Sequence, residues 1–163
     1  MAPLRILAVD PGGNTGWAAW EDGEVRWGQI PGGLLGAAGH LTDREGGVCT
    51  IPHPALTVVT DVVVIERYTI GERTVKFSRQ SDALEITGHL RAMADAAPQK
   101  VVLQQPRDAM RMFTDERLKA FGWWARGEEH ARDALRHLGL YLAKQRLVRL
   151  TDPTWRGEGD GGS

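Results

Sequence analysis

The hydrophobic positions near the start of the chain alternate or run together over short stretches, which is typical of β-strands. Turn-forming residues separate these stretches. Asp10 to Asn14 is a dense cluster of them, and Glu21-Asp22-Gly23 supplies a hairpin turn. The first part of the chain therefore predicts three strands joined as an antiparallel meander, at residues 4–9, 15–20 and 24–30.

The rest of the chain alternates apolar runs with helical patterns. Residues 58–65 end in four consecutive β-branched residues, typical of a strand buried on both faces, and residues 101–103 form a shorter run. Apolar residues at i, i+3 and i+4 predict helices over about 80–97 and 128–146, and one or two short helices over 107–121.

This order of elements predicts an α/β fold with a mixed five-stranded sheet flanked by helices. Strands 1, 4 and 5 are expected to be parallel, with the meander on one side. Residues 31–57 are hard to interpret, because glycines weaken the short helix that Leu34 to Leu41 could form. Residues 1–150 should make one domain, and 151–163, rich in glycine and charge, a disordered tail.

Composition narrows the class of protein. The chain has 163 residues, 42% hydrophobic and 25% charged, which suits one globular domain. Cys49 is the only cysteine, so a disulfide framework is excluded. No run approaches the ~18 apolar residues of a membrane span, and the N-terminus has no signal-peptide pattern. We therefore expect a soluble cytoplasmic protein with no membrane partner.

The net charge of −1 hides an asymmetry between the two halves of the chain. Residues 1–66 carry a net charge of −5, whereas residues 67–150 carry +6. A basic second half permits a polyanion-binding face. Charge segregation of this size also arises without function, so this signal is weak by itself.

Four polar residues occupy positions where chemistry is expected on such a scaffold. Asp10 ends the first strand and Glu66 ends the fourth, so both lie where open α/β sheets bind ligands. His130 and Asp133 are three residues apart and share one face of the last helix. Three carboxylates and one imidazole suit Mg²⁺ or Mn²⁺ better than zinc. Taken singly, each residue has a simpler explanation as a turn former, an ion-pair partner or a solvated helix position.

The motifs around these residues resemble RuvC-type Holliday junction resolvases. The resemblance begins with Asp10-Pro-Gly-Gly-Asn-Thr-Gly-Trp after an apolar strand and continues with Ile65-Glu66. It ends with His130-Ala-Arg-Asp133-Ala-Leu on the last helix, where some members of the family have His at the first position. The resemblance covers about residues 1–145, and the compact size resembles the bacteriophage-encoded branch.

The resemblance implies a ribonuclease-H-like fold and two-metal hydrolysis of DNA, leaving 5′-phosphate and 3′-hydroxyl ends. It assigns Asp10, Glu66, His130 and Asp133 as catalytic ligands of two Mg²⁺ or Mn²⁺ ions. It also implies branched DNA as substrate and a homodimer, for which the apolar stripe of helix 80–97 is a candidate interface. A stripe of that kind is more often part of the core.

Substrate contacts are predicted in the segment after Glu66, where the family has a DNA-engaging loop. Its basic side chains would bind phosphates and an aromatic ring could stack on a base. Lys119 is a further candidate near the scissile bond. The predicted DNA-binding residues are Arg67, Tyr68, Arg73, Lys76, Arg79 and Lys119.

Three other residues on the last helix also need an interpretation. His137 falls within about 20° of His130 around the helix, so it is either a partner of the metal site or a core histidine. Arg132 and Arg136 lie roughly opposite the buried stripe and are expected to face water.

The leading hypothesis is a metal-dependent, structure-specific endonuclease. The alternatives are an RNA-processing nuclease of the same superfamily and a catalytically inactive module that binds branched DNA. A sugar-kinase-like or actin-like ATPase also opens with Asp-x-Gly, but it needs a second domain for which 163 residues leave no room.

Overall fold

The fold is that of a computed structural model, which describes residues 2–43, 46–49, 59–69 and 80–150. The predicted tail at 151–163 lies outside the described residues. The strands are β1 Arg5–Asp10, β2 Asn14–Glu21, β3 Glu24–Pro31, β4 Val62–Glu66 and β5 Lys100–Gln104. The helices are α1 Gly33–Leu41, α2 Gln80–Asp95, α3 Pro106–Met112, α4 Asp115–Ala120 and α5 Glu129–Lys144.

The five strands form one mixed sheet in the order β3-β2-β1-β4-β5. The pairs β3·β2 and β2·β1 are antiparallel, whereas β1·β4 and β4·β5 are parallel. This confirms the predicted meander and the predicted parallel strands. The glycine-rich helix α1, which the sequence indicated only weakly, is also formed.

Helices cover both faces of the sheet. Since successive residues of a strand point to opposite faces, the central strands contribute to both layers of the core. One face packs against α5, and Leu135, Leu138 and Leu142 of that helix are fully buried there. The other face packs against α1 and α2. This sandwich explains why β1 and β4 read as continuous apolar runs.

The apolar stripe of α2 belongs to this second layer. Ala83, Ile86, Leu90 and Ala94 are buried in the chain's own core, and only Leu84 of the larger apolar residues on the helix is exposed. Most of the stripe is therefore core, whereas its Leu84 is exposed, and the dimer interface suggested for this helix stays a prediction. Among the described helices, none combines the length and apolarity needed to cross a membrane.

Candidate active site

The two strand-end acids lie side by side at one edge of the sheet. Val9 is the register partner of Ile65, so Asp10 and Glu66 leave β1 and β4 at the same level. Asp10 is 8% exposed, whereas Glu66 is partly exposed. The carboxyl ends of these central parallel strands therefore form an acidic edge, as the sequence predicted.

Helix α5 begins directly beside this edge, because Gly16 on β2 allows a close approach. A Cβ atom at Gly16 would lie 1.9 Å from the carbonyl oxygen of His130. The backbone N–H of His130 donates to Gln29 Oε1 on β3 at 2.9 Å. The ring Nδ1 of His130 then donates to Asp10 Oδ2, also at 2.9 Å. Two strands of the meander thus seat the first turn of α5, and that turn brings His130 to Asp10.

Glu66 has a comparable partner two turns further along the helix. His137 is 1% exposed, and its Nε2 lies 2.8 Å from Glu66 Oε2. Its Nδ1 lies 2.9 Å from Oε1 of Gln104, the register partner of Glu66 on β5. The buried Nε2 of Gln104 has no hydrogen-bond partner among the described residues. If the Gln104 amide were flipped, this Nε2 would donate to Nδ1 of a neutral His137 ring. His137 is therefore a core histidine that contacts Glu66, and its role as a partner of a metal site stays a prediction.

Asp133 is paired with Arg136, a residue that the sequence analysis placed in water. Arg136 is 9% exposed and bonds to the carboxylates of Asp133 and Asp115 and to the Phe113 carbonyl oxygen. That prediction was wrong because the segment of α3 and α4 packs on the side of α5 that the helical spacing left open. Arg132 instead donates to the Ala125 carbonyl oxygen.

Glu66, His130 and Asp133 all influence the pKa of Asp10. Burial raises the pKa of Asp10 to about 6; the His130 hydrogen bond opposes this shift, and the Glu66 and Asp133 charges add to it. Partial burial likewise raises the pKa of Asp133 despite the opposing Arg136. The hydrogen bond to Asp10 raises the pKa of His130. Crowded carboxylates of this kind repel one another when no cation is present.

The donor set fits a hard divalent cation, although its side chains are paired with protein groups. Among the described residues, no three His, Cys, Asp or Glu side chains are gathered closely enough to hold a metal ion. Each acid instead faces a nitrogen of α5, namely His130, Arg136 or His137. The carboxylate oxygens suit Mg²⁺ or Mn²⁺, and a cation there would offset both the burial of the Asp10 charge, which is the main cause of its raised pKa, and the smaller repulsion from Glu66 and Asp133.

The residues predicted to bind DNA are only partly described. Arg67 is exposed immediately after Glu66, and Tyr68 is half-buried. Lys119 is exposed, with its Nζ 4.3 Å from the centroid of the Trp124 ring, on which Arg132 also lies. The other three predicted residues lie outside the described residues: Arg73, Lys76 and Arg79.

Two polar residues near the site were missed by the sequence analysis. Gln104 ends β5 just as Asp10 ends β1 and Glu66 ends β4, so its strand-end position was an available signal. Gln29 sits within β3 and bonds across to α5, a contact that no pattern in the sequence indicates.

Comparisons with known proteins bear on the fold. No protein-family model matches the sequence, and no curated protein does. Two solved structures of Thermus thermophilus RuvC are similar. RuvC in complex with a Holliday junction substrate gives a TM-score of 0.59 at 13% identity, covering 88% of this chain and 96% of that chain. A second RuvC structure gives a TM-score of 0.51 at 14% identity with the same coverage. The fold is that of RuvC, ribonuclease-H-like. At this identity the likeness establishes the architecture alone.

Proposed function

We propose that the chain is a metal-dependent endonuclease that cuts branched DNA, four-way junctions included, and leaves 5′-phosphate and 3′-hydroxyl ends. One observation carries the proposal. Asp10 and Glu66 end neighbouring parallel strands at one edge of a RuvC-like sheet, where α5 brings His130 to Asp10 and His137 to Glu66. Burial raises the pKa of Asp10, and the charges of Glu66 and Asp133 add to this shift. A RuvC of the same fold has been seen with a Holliday junction substrate, which supports branched DNA as the substrate class.

Each proposed catalytic residue has a definable task. Asp10, Glu66, His130 and Asp133 would hold two Mg²⁺ or Mn²⁺ ions. When bound, such ions supply an activated water and offset charge on the departing 3′-oxygen. His130 orients the Asp10 carboxylate, and its neutral form lowers the negative charge of the ligand set compared with a fourth acid.

Three further residues would act through the ligands as positioning residues. His137 holds the Glu66 carboxylate and is itself held by Gln104. Arg136 holds the Asp133 carboxylate and is tied to the backbone at Phe113. Partners of this kind fix the direction of a ligand, and their loss typically weakens metal binding.

The test is cleavage of a labelled immobile four-way junction, a matching linear duplex and a flap, each with Mg²⁺, Mn²⁺ or EDTA. We expect metal-dependent cuts in the branched substrates and none in the duplex. Asp10→Asn and Glu66→Gln should abolish cutting yet retain junction binding, because each removes a ligand charge while keeping the side-chain shape. Binding without cutting by the unaltered protein would favour a binding module, and preferential cutting of RNA an RNA-processing nuclease.

The proposal includes a homodimer, since two symmetric nicks in one junction need two sites. Sedimentation of the protein with and without junction should show a species of twice the chain mass. A monomer that still makes paired nicks would contradict this part of the proposal alone.

A further inference from the structure

A groove with a volume of about 510 Å³ lies between the edge strand β5 and the second half of α5. Its walls come from separate parts of the chain: the residue after β4, β5 itself, the start of α3, and the last turns of α5. The floor includes Val102, Leu140 and Tyr141, which are apolar or largely so. None of the residues proposed to hold metal ions lines this groove.

Three cations converge on the groove from three different elements. Arg67 follows β4, Lys100 begins β5 and Lys144 ends α5. All three are exposed, and none makes an ion pair with another described residue. Asp108, the one acid among the lining residues, lies 3.7 Å from Arg107. The described residues that line the groove therefore carry net positive charge, which attracts a polyanion.

The groove runs away from the catalytic edge. Arg67 adjoins Glu66, and Gln104 is the register partner of Glu66. Lys100 lies at the opposite end of β5, about 13 Å away at the usual rise of a strand. Lys144 lies at the far end of α5 from His130, about 21 Å along the helix axis. A strand whose phosphate lies at the acidic edge would meet these cations in succession.

We propose that this groove binds the phosphate backbone of one DNA strand as it leaves the catalytic edge, with Lys100 and Lys144 as the distal phosphate contacts. The apolar floor between the cations suits the sugar carbons between successive phosphates. The inference rests on the proposed nuclease function and extends it with a second DNA contact surface. A substrate therefore needs a DNA arm long enough to reach the distal cations.

The experiment compares junction binding by the full chain, in EDTA to prevent cutting, as a function of salt. The variants are Lys100→Ala, Lys144→Ala and the double substitution, with Arg91→Ala as control because Arg91 is exposed on α2, which covers the other face of the sheet. Each lost phosphate contact should lower the slope of log affinity against log salt by about 0.9, and weaken binding roughly eightfold at about 0.1 M salt. The double variant should lose about 1.8 from the slope, and Arg91→Ala nothing.

A second experiment uses junctions whose DNA arms are progressively shorter. Affinity of the unaltered protein should drop once the arm no longer reaches the distal cations, whereas the double variant should be insensitive to that shortening. If the double variant keeps the salt slope and the length dependence of the unaltered protein, the groove proposal is wrong, while the proposed nuclease function stands. If the unaltered protein neither binds nor cuts junctions, the nuclease proposal fails and the groove fails with it.

Discussion

Replacing Asp10 by Asn should stabilise the metal-free protein at neutral pH, although it removes the side chain on which the proposed chemistry depends. Burial, with the charges of Glu66 and Asp133, raises the pKa of Asp10 from 3.8 to about 6. The folded protein therefore binds more protons than the unfolded chain between these two values, so its stability falls as pH rises through that window. A shift of about 2 units corresponds to about 3 kcal/mol. Asn carries no charge at any pH and escapes this loss.

The value of about 3 kcal/mol is an upper bound, because the substitution also alters the hydrogen bond between His130 and residue 10. That bond raises the pKa of His130. Its stabilisation is complete below the unfolded value of about 6.5 and is lost as pH rises through the raised folded value. Both groups therefore make the unaltered, metal-free protein less stable as pH rises from about 4 through the raised pKa of His130.

The assay is urea unfolding of both proteins in EDTA at intervals from pH 4 to pH 8. The variant's advantage in free energy of unfolding should grow between pH 4 and pH 6 and persist at neutral pH. Adding Mg²⁺ should then stabilise the unaltered protein alone, by about 2.7 kcal/mol at a hundredfold excess over the dissociation constant. A variant that is less stable at neutral pH in EDTA, or an advantage that does not change with pH, would refute the electrostatic reasoning.

Three further substitutions test how α5 builds the site. Gly16→Ala should destabilise the protein by about 1–3 kcal/mol and impair cutting, because the new Cβ would collide with the His130 carbonyl oxygen. Thermal denaturation measures the loss of stability, and junction cleavage measures the loss of activity. A stable, active variant would contradict the close approach of α5 to β2. His137→Gln should weaken apparent Mg²⁺ affinity about 10–100-fold in titrations of cleavage and of Mg²⁺-induced thermal stabilisation. The same substitution at His40, an exposed residue of α1, should not. His130→Asp should keep metal-dependent activity with an altered pH profile; a folded but inactive variant excludes the assignment of His130.

The sheet and its acidic edge were predictable from sequence because they depend on local patterns. A strand buried on both faces reads as an apolar run, and β4 is such a run. A polar residue that ends such a run is conspicuous, which is how Asp10 and Glu66 were found. The pair His130 and Asp133 followed from helical spacing, since residues three apart share a face.

The partners of these acids were harder to predict because they depend on packing between distant segments. Helical spacing placed Arg136 opposite the apolar stripe of α5, yet its guanidinium is buried against Phe113 and Asp115. The sequence of α5 alone does not indicate that α3 and α4 pack against that side of the helix. His137 was left with two interpretations, since its contact with Glu66 spans 71 residues of sequence.

The pairing pattern has one mechanical consequence. Asp10, Glu66 and Asp133 are each held by a nitrogen group from α5, so the seating of this one helix sets the direction of all three carboxylates. Two of those acids are fixed on the sheet, and the backbone of the helix approaches the sheet closely at Gly16. A small displacement of α5 would therefore misdirect several ligands together. Substitutions that alter only its seating should weaken metal binding without changing any ligand, which makes the contact between α5 and β2 part of the site.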